Sequence, residues 1–490
     1  MRLLVNDELR FGFTPIEEVK LNTNCRDEII PILRGLQHIY SVPALREEIL
    51  AFVEKDVNGK CSRKQGRRGL AYWEITVLAG VRLGCNLNYD ALQDLAENHR
   101  RLRQLMGIGD WEEEKEWDWR RLRDNVDLLT PATLTKLNQL LVGEGHKLAP
   151  DAAKSVRGDS FVTETNIHYP TDSSLIGDGL RKLIENAAPL AASFGISGWR
   201  QHGHLLMRVK QQVRQVSKAS RSKGKNKEPR LKAAYKELFQ LADDLVTRIK
   251  QLLVALQVQA GAMVDKELLA QQRAIEHFLP LTEKVIRNGK RRVLHGEAVP
   301  NSEKIFSIFE PHTELIKRGK AREPIQFGHK VFLIEDAAGF VCHYEVLANG
   351  TEDQEAVVPA MKELQERLAN QIEYASFDTA FHTPQNQKDL QDIVSQPCIP
   401  KKGKPAKRES TIEFRRARQH HPGVESAIGA LQAGNGLKRC RDRSEEGYKR
   451  YVGMGILGRN LHVLGKLLLA KDDADCQAAK SKRKANFAAA

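Results

Sequence analysis

Asp159, Asp378 and Glu425 stand where side chains from separate segments of the chain can converge. Asp159 lies in a stretch rich in β-formers, "RGDSFVTETNIHY"; Asp378 ends a second, "IEYASFD"; Glu425 falls in the first turns of a helix opening at "HHPGVESAIGALQ". Ligands in open α/β sheets gather beyond the carboxyl ends of strands. If these two strands are neighbours, Asp159 and Asp378 meet, and a helix packed over that edge adds Glu425. Carboxylates a few ångströms apart force protonation or recruit a cation. A hard divalent ion, Mg²⁺ or Mn²⁺, takes oxygen ligands and binds substrate phosphates, and a pair about 4 Å apart clamps the attacking and leaving oxygens of phosphoryl transfer. The expected catalytic and metal-binding residues are therefore Asp159, Asp378 and Glu425, holding two ions.

Among 63 acidic residues such a set also arises by chance, so the neighbouring acids have to be separated from it. Glu164 is an odd number of residues from Asp159, and a regular strand turns it to the opposite face, in a supporting or surface role. Asp172, in "TDSSL", suits a helix cap. Asp336 falls in a hairpin turn, which favours Asp for local reasons. His168, His420 and His421 are possible acid/base groups that a two-metal scheme does not need.

The elements that must position these residues divide the chain by texture. Residues 1–150 read as an all-α DNA-binding domain. In it "AYWEITVLAGVRL" (Ala71–Leu83) is a helix broken at Gly84, and "YDALQDLAENHRRLRQLM" (Tyr89–Met106) is a second. The pair is either a helix-turn-helix laying Arg100, Arg101 and Arg103 on DNA or a plain pair in a bundle. A later helix has Thr130 as its cap, Pro131 at its first position and Gly143 at its end.

Residues 151–180 and 296–470 read as an α/β domain. Its strands are the one carrying Asp159, "KIFSIFE" (Lys304–Glu310), the hairpin "HKVFLIEDAAGFVCHYEVL" (His329–Leu347), the one ending at Asp378, and the short "PCIPKKGK". Residues 181–295 form a helical insertion. There Leu238, Leu241, Leu245, Ile249, Leu252 and Leu256 make a stripe at steps of three and four. The basic run Arg208–Arg230, read as a loop between helices, offers Lys218, Arg221, Lys223 and Lys225 to DNA phosphates. Residues 471–490 read as a disordered basic tail. The fold class is α/β, or α+β overall.

The 490 residues suffice for several domains. With 77 Lys and Arg, the formal charge is +14, which points to a polyanionic partner, nucleic acid, through counterion release. Near the acids, Lys330, Arg415, Arg416, Arg418, Lys438 and Arg439 are candidates for steering phosphates. No apolar run reaches the 18 to 20 residues or so that cross a bilayer, and the N-terminus lacks the apolar core of a signal peptide. A cytoplasmic, nucleoid-associated protein is expected, with no membrane partner. The cysteines Cys25, Cys61, Cys85, Cys342, Cys398, Cys440 and Cys476 are scattered without a C-x-x-C pair, which speaks for reduced thiols and against structural zinc.

Four blocks, "DSFVTETNIHYPTDSSL", "FEPHTELIKRGKAREPIQFGHKVFLIEDAAGFV", "ASFDTAFHTPQNQ" and "HPGVESAIGALQAGNGLKRC", resemble in that order the blocks of ISNCY-type DDE transposases of bacterial insertion sequences. "GRRGLAYWEITVLAGVRLGCNLNYDALQDLAENH" likewise resembles their N-terminal helical domain. The resemblance implies an RNase H-like catalytic core interrupted by the helical insertion, with Asp159, Asp378 and Glu425 as its triad. It implies an enzyme that binds the terminal inverted repeats of an insertion sequence as a homodimer or higher oligomer, cleaves DNA and transfers the strand. A catalytically inactive DNA-binding regulator and an RNase H-like nuclease without strand transfer are the alternatives. The chain departs from the family pattern after its second Asp, where Thr379 and Ala380 replace the usual Lys-Gly. The long gap from Asp159 to Asp378 requires an insertion.

Overall fold

A computed structural model describes residues 2–5, 11–23, 25–60, 69–111, 116–258, 265–317 and 324–489, without the side chains of 482–489. Cys61 and residues 318–323 of the second resembling block lie outside them. The chain forms two compact units, Met1–Asn166 with Gly328–Ala490, and Ile167–Phe327.

The first unit opens with helices α1 (Ile29–Ser41), α2 (Pro43–Lys60), α3 (Tyr72–Gly84), α4 (Tyr89–Asn98), α5 (Arg100–Leu105), α6 (Trp119–Val126) and α7 (Pro131–Leu148). Every residue of α3 is buried, so its charges need internal partners. Glu74 accepts the Ala71 N–H at 2.8 Å, and Arg82 donates to Asp442 at 2.9 Å. The single helix expected from Tyr89 to Met106 is broken at His99. That residue is extended, and its ring nitrogen accepts the Leu102 N–H to cap α5. Thr130 caps α7 as expected, accepting from Thr133, but the helix runs past Gly143 to Leu148. A Cβ on Gly145 would lie 2.2 Å from the Phe340 ring. Packing on that bare face outweighs the cost of about 1 kcal/mol for a glycine in a helix.

Strand β1 (Ser155–Glu164) follows. The second unit then holds α8 (Asp172–Ser193), α9 (His202–Arg221), α10 (Lys227–Val258), α11 (Lys266–Val293) and β2 (Glu314–Lys317). β3 (Ile325–Asp336) begins in the second unit and continues into the first. After it come β4 (Val341–Val346), α12 (Asp353–Arg367), β5 (Tyr374–Phe377), α13 (Pro384–Gln391), β6 (Gln396–Cys398), α14 (Ile412–His420), α15 (Pro422–Gly434) and α16 (Glu445–Ala489).

The fold is mixed α/β with a mixed sheet. β3 is antiparallel to both β1 and β4, whereas β1, β5 and β6 run parallel to one another; β2 adjoins β3. The β3–β4 hairpin turns where expected, with Gly339 at φ 91° and Asp336 accepting the N–H groups of Ala338 and Phe340, each at 2.9 Å.

Several boundaries differ from those read in the sequence. The N-terminal helices and the sheet share one hydrophobic core that includes Leu36, Trp73, Leu141, Phe332, Phe377 and Leu464, so residue 150 does not divide compact units. The inserted unit spans 167–327 rather than 181–295. Its own core contains the whole stripe from Leu238 to Leu256. "KIFSIFE" is not a strand: Ser307 Oγ accepts the N–H groups of Phe309 and Glu310, both at 3.2 Å, and takes them from any ladder. Residues 472–481, expected in a disordered tail, continue α16 as exposed helix. Among the described residues no helix is long and apolar enough to cross a membrane.

Candidate active site

β1 and β5 pair in parallel register, Ser155 with Tyr374, Val156 with Ala375, Arg157 with Ser376, and Gly158 with Phe377. Asp159 and Asp378 are the next residue on each. Asp378 remains extended, at φ −78° and ψ 168°, so the period of two puts both carboxylates on the face that carries Arg157 and Ser376. Both are half-buried. Gly158 serves the opposite face, where an added Cβ would lie 2.5 Å from the Phe377 ring. Without it, Phe377 lies across β1 and meets Phe332 and Phe381.

Glu425 follows the corner between α14 and α15. Thr411 caps α14 by accepting the Phe414 N–H, and Pro422 starts α15 with its φ already helical. α15 packs on β1, where Gln432 Nε2 donates to the Val162 carbonyl at 3.3 Å. Glu425 is exposed in the first turn of that helix. The corner is held from β1, where Arg157 Nη1 donates to the His420 carbonyl at 3.1 Å; the next residue, His421, is buried.

His421 feels charges of both signs. Burial and then the Arg418 guanidinium hold its ring below the ordinary range, while Asp378 and Glu425 pull the other way. Arg418 donates to the Phe377 carbonyl and to Asp378 Oδ1, each at 3.4 Å. Thus α14 sets a cation beside the second aspartate, where Thr379 and Ala380 offer none.

Other expected residues are distributed differently. Lys330 pairs in register with Val162, which puts it on the sheet face away from Asp159, where it reaches Asp353 at 3.3 Å. Arg439 lies 2.8 Å from Glu164, so Glu164 has the supporting role expected of it; Lys438 is exposed. In α5, Arg100 pairs with Asp110 at 2.7 Å, Arg101 donates to Gln104, and Arg103 donates to the Glu97 carbonyl. These arginines brace the helical layer and do not form the basic face of one long second helix.

Arg208–Arg221 belongs to α9, leaving only 222–226 as the turn to α10. Lys218, Arg221, Lys223 and Lys225 are all exposed there. Asp172 is not a cap. Thr171 caps α8, and Asp172 pairs with Arg292 at 2.9 Å. His168 lies 3.5 Å from Asp178.

Sequence reasoning missed Arg157 and Glu335. They are cross-strand partners on β1 and β3, with Arg157 Nε 2.8 Å from Glu335 Oε2. Their identities were visible in "RGDS" and "IEDAAG", but only the strand register joins them.

Among the described residues, one group of three side chains has its ligating atoms within 4.8 Å of one another: His146, Asp336 and Cys342. His146 Nε2 is 2.7 Å from Asp336 Oδ2, and the Cys342 thiol is 3.5 Å from the same oxygen. Ligands about 2 Å from one tetrahedral ion stand more than about 3 Å apart, whereas 2.7 Å is a hydrogen-bond distance. Burial pushes the Cys342 thiol well up, which keeps it protonated. The group reads as a turn-fixing carboxylate with its donors. Comparison of the chain with family models, curated proteins and solved structures returned no match.

Proposed function

We propose that the chain is a DDE-type transposase with an RNase H-like catalytic core. The observation that carries this reading is the placement of Asp159 and Asp378 at matching positions on the parallel pair β1 and β5, at the centre of the order β4-β3-β1-β5-β6. That order and those directions support the reading of an RNase H-like core. Glu425 completes the set from a helix packed on β1.

The donor set suits the ion expected from the sequence. Carboxylate oxygens on a partly exposed face fit Mg²⁺ or Mn²⁺, which keep several waters, better than zinc. Asp159 and Asp378 would share the ions and Glu425 would hold the second. When bound, two such ions activate water or a 3′-hydroxyl and stabilise the leaving oxygen. The chain itself supplies orientation: Arg418, beside Asp378, aligns a phosphate, and the exposed cations at the α9–α10 tip bind the DNA backbone. The partner in this reading is double-stranded DNA, both element ends and target, bound by a homodimer or higher oligomer in the bacterial cytoplasm.

The test is an assay with duplex oligonucleotides carrying the terminal inverted repeats that flank the coding region, in Mg²⁺ or Mn²⁺. A transposase yields both a nicked end and a joined product. Cleavage without joining would identify an RNase H-like nuclease, and binding without either would identify a DNA-binding regulator.

A further inference from the structure

We propose that Arg157, held in place by Glu335, is the positioning residue that sets Glu425 opposite Asp159. The proposal rests on the reading of Asp159, Asp378 and Glu425 as metal ligands.

Arg157 and Asp159 leave β1 on the same face, two residues apart, about 7 Å along the strand. Asp159 faces the site; Arg157 reaches the α14–α15 corner. Its Nη1 donates to the carbonyl of His420, the last residue of α14, at 3.1 Å. That carbonyl has no partner within its own helix, and a cation there also complements the helix dipole. The guanidinium packs against Gly423, where a Cβ would fall 1.9 Å from Nη1. Glu425 follows two residues later in the first turn of α15. One rigid side chain therefore determines where that helix starts relative to the strand bearing Asp159.

Arg157 keeps this direction because its other edge is pinned. Nε and Nη2 reach Glu335 Oε2 at 2.8 and 2.6 Å. Glu335 is itself 1% exposed, and Arg459 holds its second oxygen at 3.4 Å. Only a guanidinium donates in two directions from a fixed plane; an ammonium at the same position keeps the charge and loses the geometry. The pair thus acts on the metal site through Glu425 without touching substrate or metal.

The experiment is Mn²⁺ binding by the full-length protein, followed by electron paramagnetic resonance, for the parent, Asp159→Asn, Glu425→Gln, Arg157→Lys, Gly423→Ala and Arg157→Lys/Glu425→Gln. Arg157→Lys retains the charge opposite Glu335, and circular dichroism checks that each variant is folded. Arg157→Lys and Gly423→Ala are expected to weaken Mn²⁺ binding by about 10- to 100-fold, as loss of a ligand's support does. Adding Glu425→Gln to Arg157→Lys is expected to cause no further loss, because both act through the same ligand. Parental Mn²⁺ affinity in Arg157→Lys and Gly423→Ala, with Asp159→Asn weakened, overturns the positioning role and leaves the metal site standing. Parental affinity in Asp159→Asn overturns the metal site, and the positioning role with it.

Discussion

Asp159 and Asp378 occupy matching positions on two hydrogen-bonded parallel strands, each one residue beyond the pair formed by Gly158 and Phe377. Neighbouring residues in parallel register point the same way, so the sheet brings together acids that lie far apart in the chain. It does so through a short pairing, since β5 has only four residues.

The group His146, Asp336 and Cys342 is expected to be structural. His146→Ala removes the shorter of two hydrogen bonds to a fully buried carboxylate oxygen, which costs about 1–3 kcal/mol. A lowered thermal midpoint with an unchanged Mg²⁺ requirement for cleavage is the expected result. A changed metal requirement would make this cluster the metal centre instead.

The α9–α10 tip is expected to act by neutralising phosphates. Replacing Lys218, Arg221, Lys223 and Lys225 with Gln should flatten the plot of log affinity against log salt by about 0.9 for each phosphate that the tip no longer neutralises, without changing the rate of the chemical step at saturating DNA. Arg100→Gln should do less, because Asp110 already neutralises that guanidinium. An unchanged slope in the quadruple variant would return the tip to ordinary solvated charge.

Arg82 is 1% exposed between the Tyr89 and Tyr451 rings and is paired with Asp442. Arg82→Met strands a buried carboxylate, and a loss of about 3–5 kcal/mol is expected in denaturant unfolding. The Asp442→Asn/Arg82→Met double variant should recover much of it. No recovery would show that the arginine stabilises through its stacking rather than its charge.

Glu335 gives stability a definite pH dependence. Burial raises its carboxyl above the ordinary value of 4.5, although Arg157 and Arg459 oppose the shift. The folded state then binds the proton more tightly than the unfolded state does. The contribution is present in full below the ordinary value and is lost as pH rises through the folded value. Relative to Glu335→Gln, the parent should lose stability as pH rises above the ordinary carboxyl value and through the raised one. A difference that stays flat would mean the two arginines hold the carboxyl at its unfolded value.

Much of the layout was legible because it depends on local signals. The cap at Thr130, the turn at Gly339 and the stripe from Leu238 to Leu256 each follow from residues close in sequence. The strands bearing Asp159 and Asp378 could be found for the same reason, and so could the opposite orientation of Glu164. What was not legible depends on tertiary pairing. Lys330 was expected near the acids, but register places it on the other face, and Arg157 with Glu335 had no signature before β1 met β3. His99 breaks a helix whose periodicity continues across it, because the ring takes over a backbone N–H. Ser307 ends a strand pattern by the same kind of competition.

The most direct measurement is the rate of cleavage and joining of terminal-repeat DNA by Asp159→Asn, Asp378→Asn and Glu425→Gln beside the parent. Each variant should fold with near-parental stability, since none of the three side chains is fully buried. Each should lose about 10³-fold or more in rate, roughly 4 kcal/mol of transition-state stabilisation. Parental rates in any one of them would remove that residue from the site, and parental rates in all three would contradict the assignment of this face as the catalytic centre.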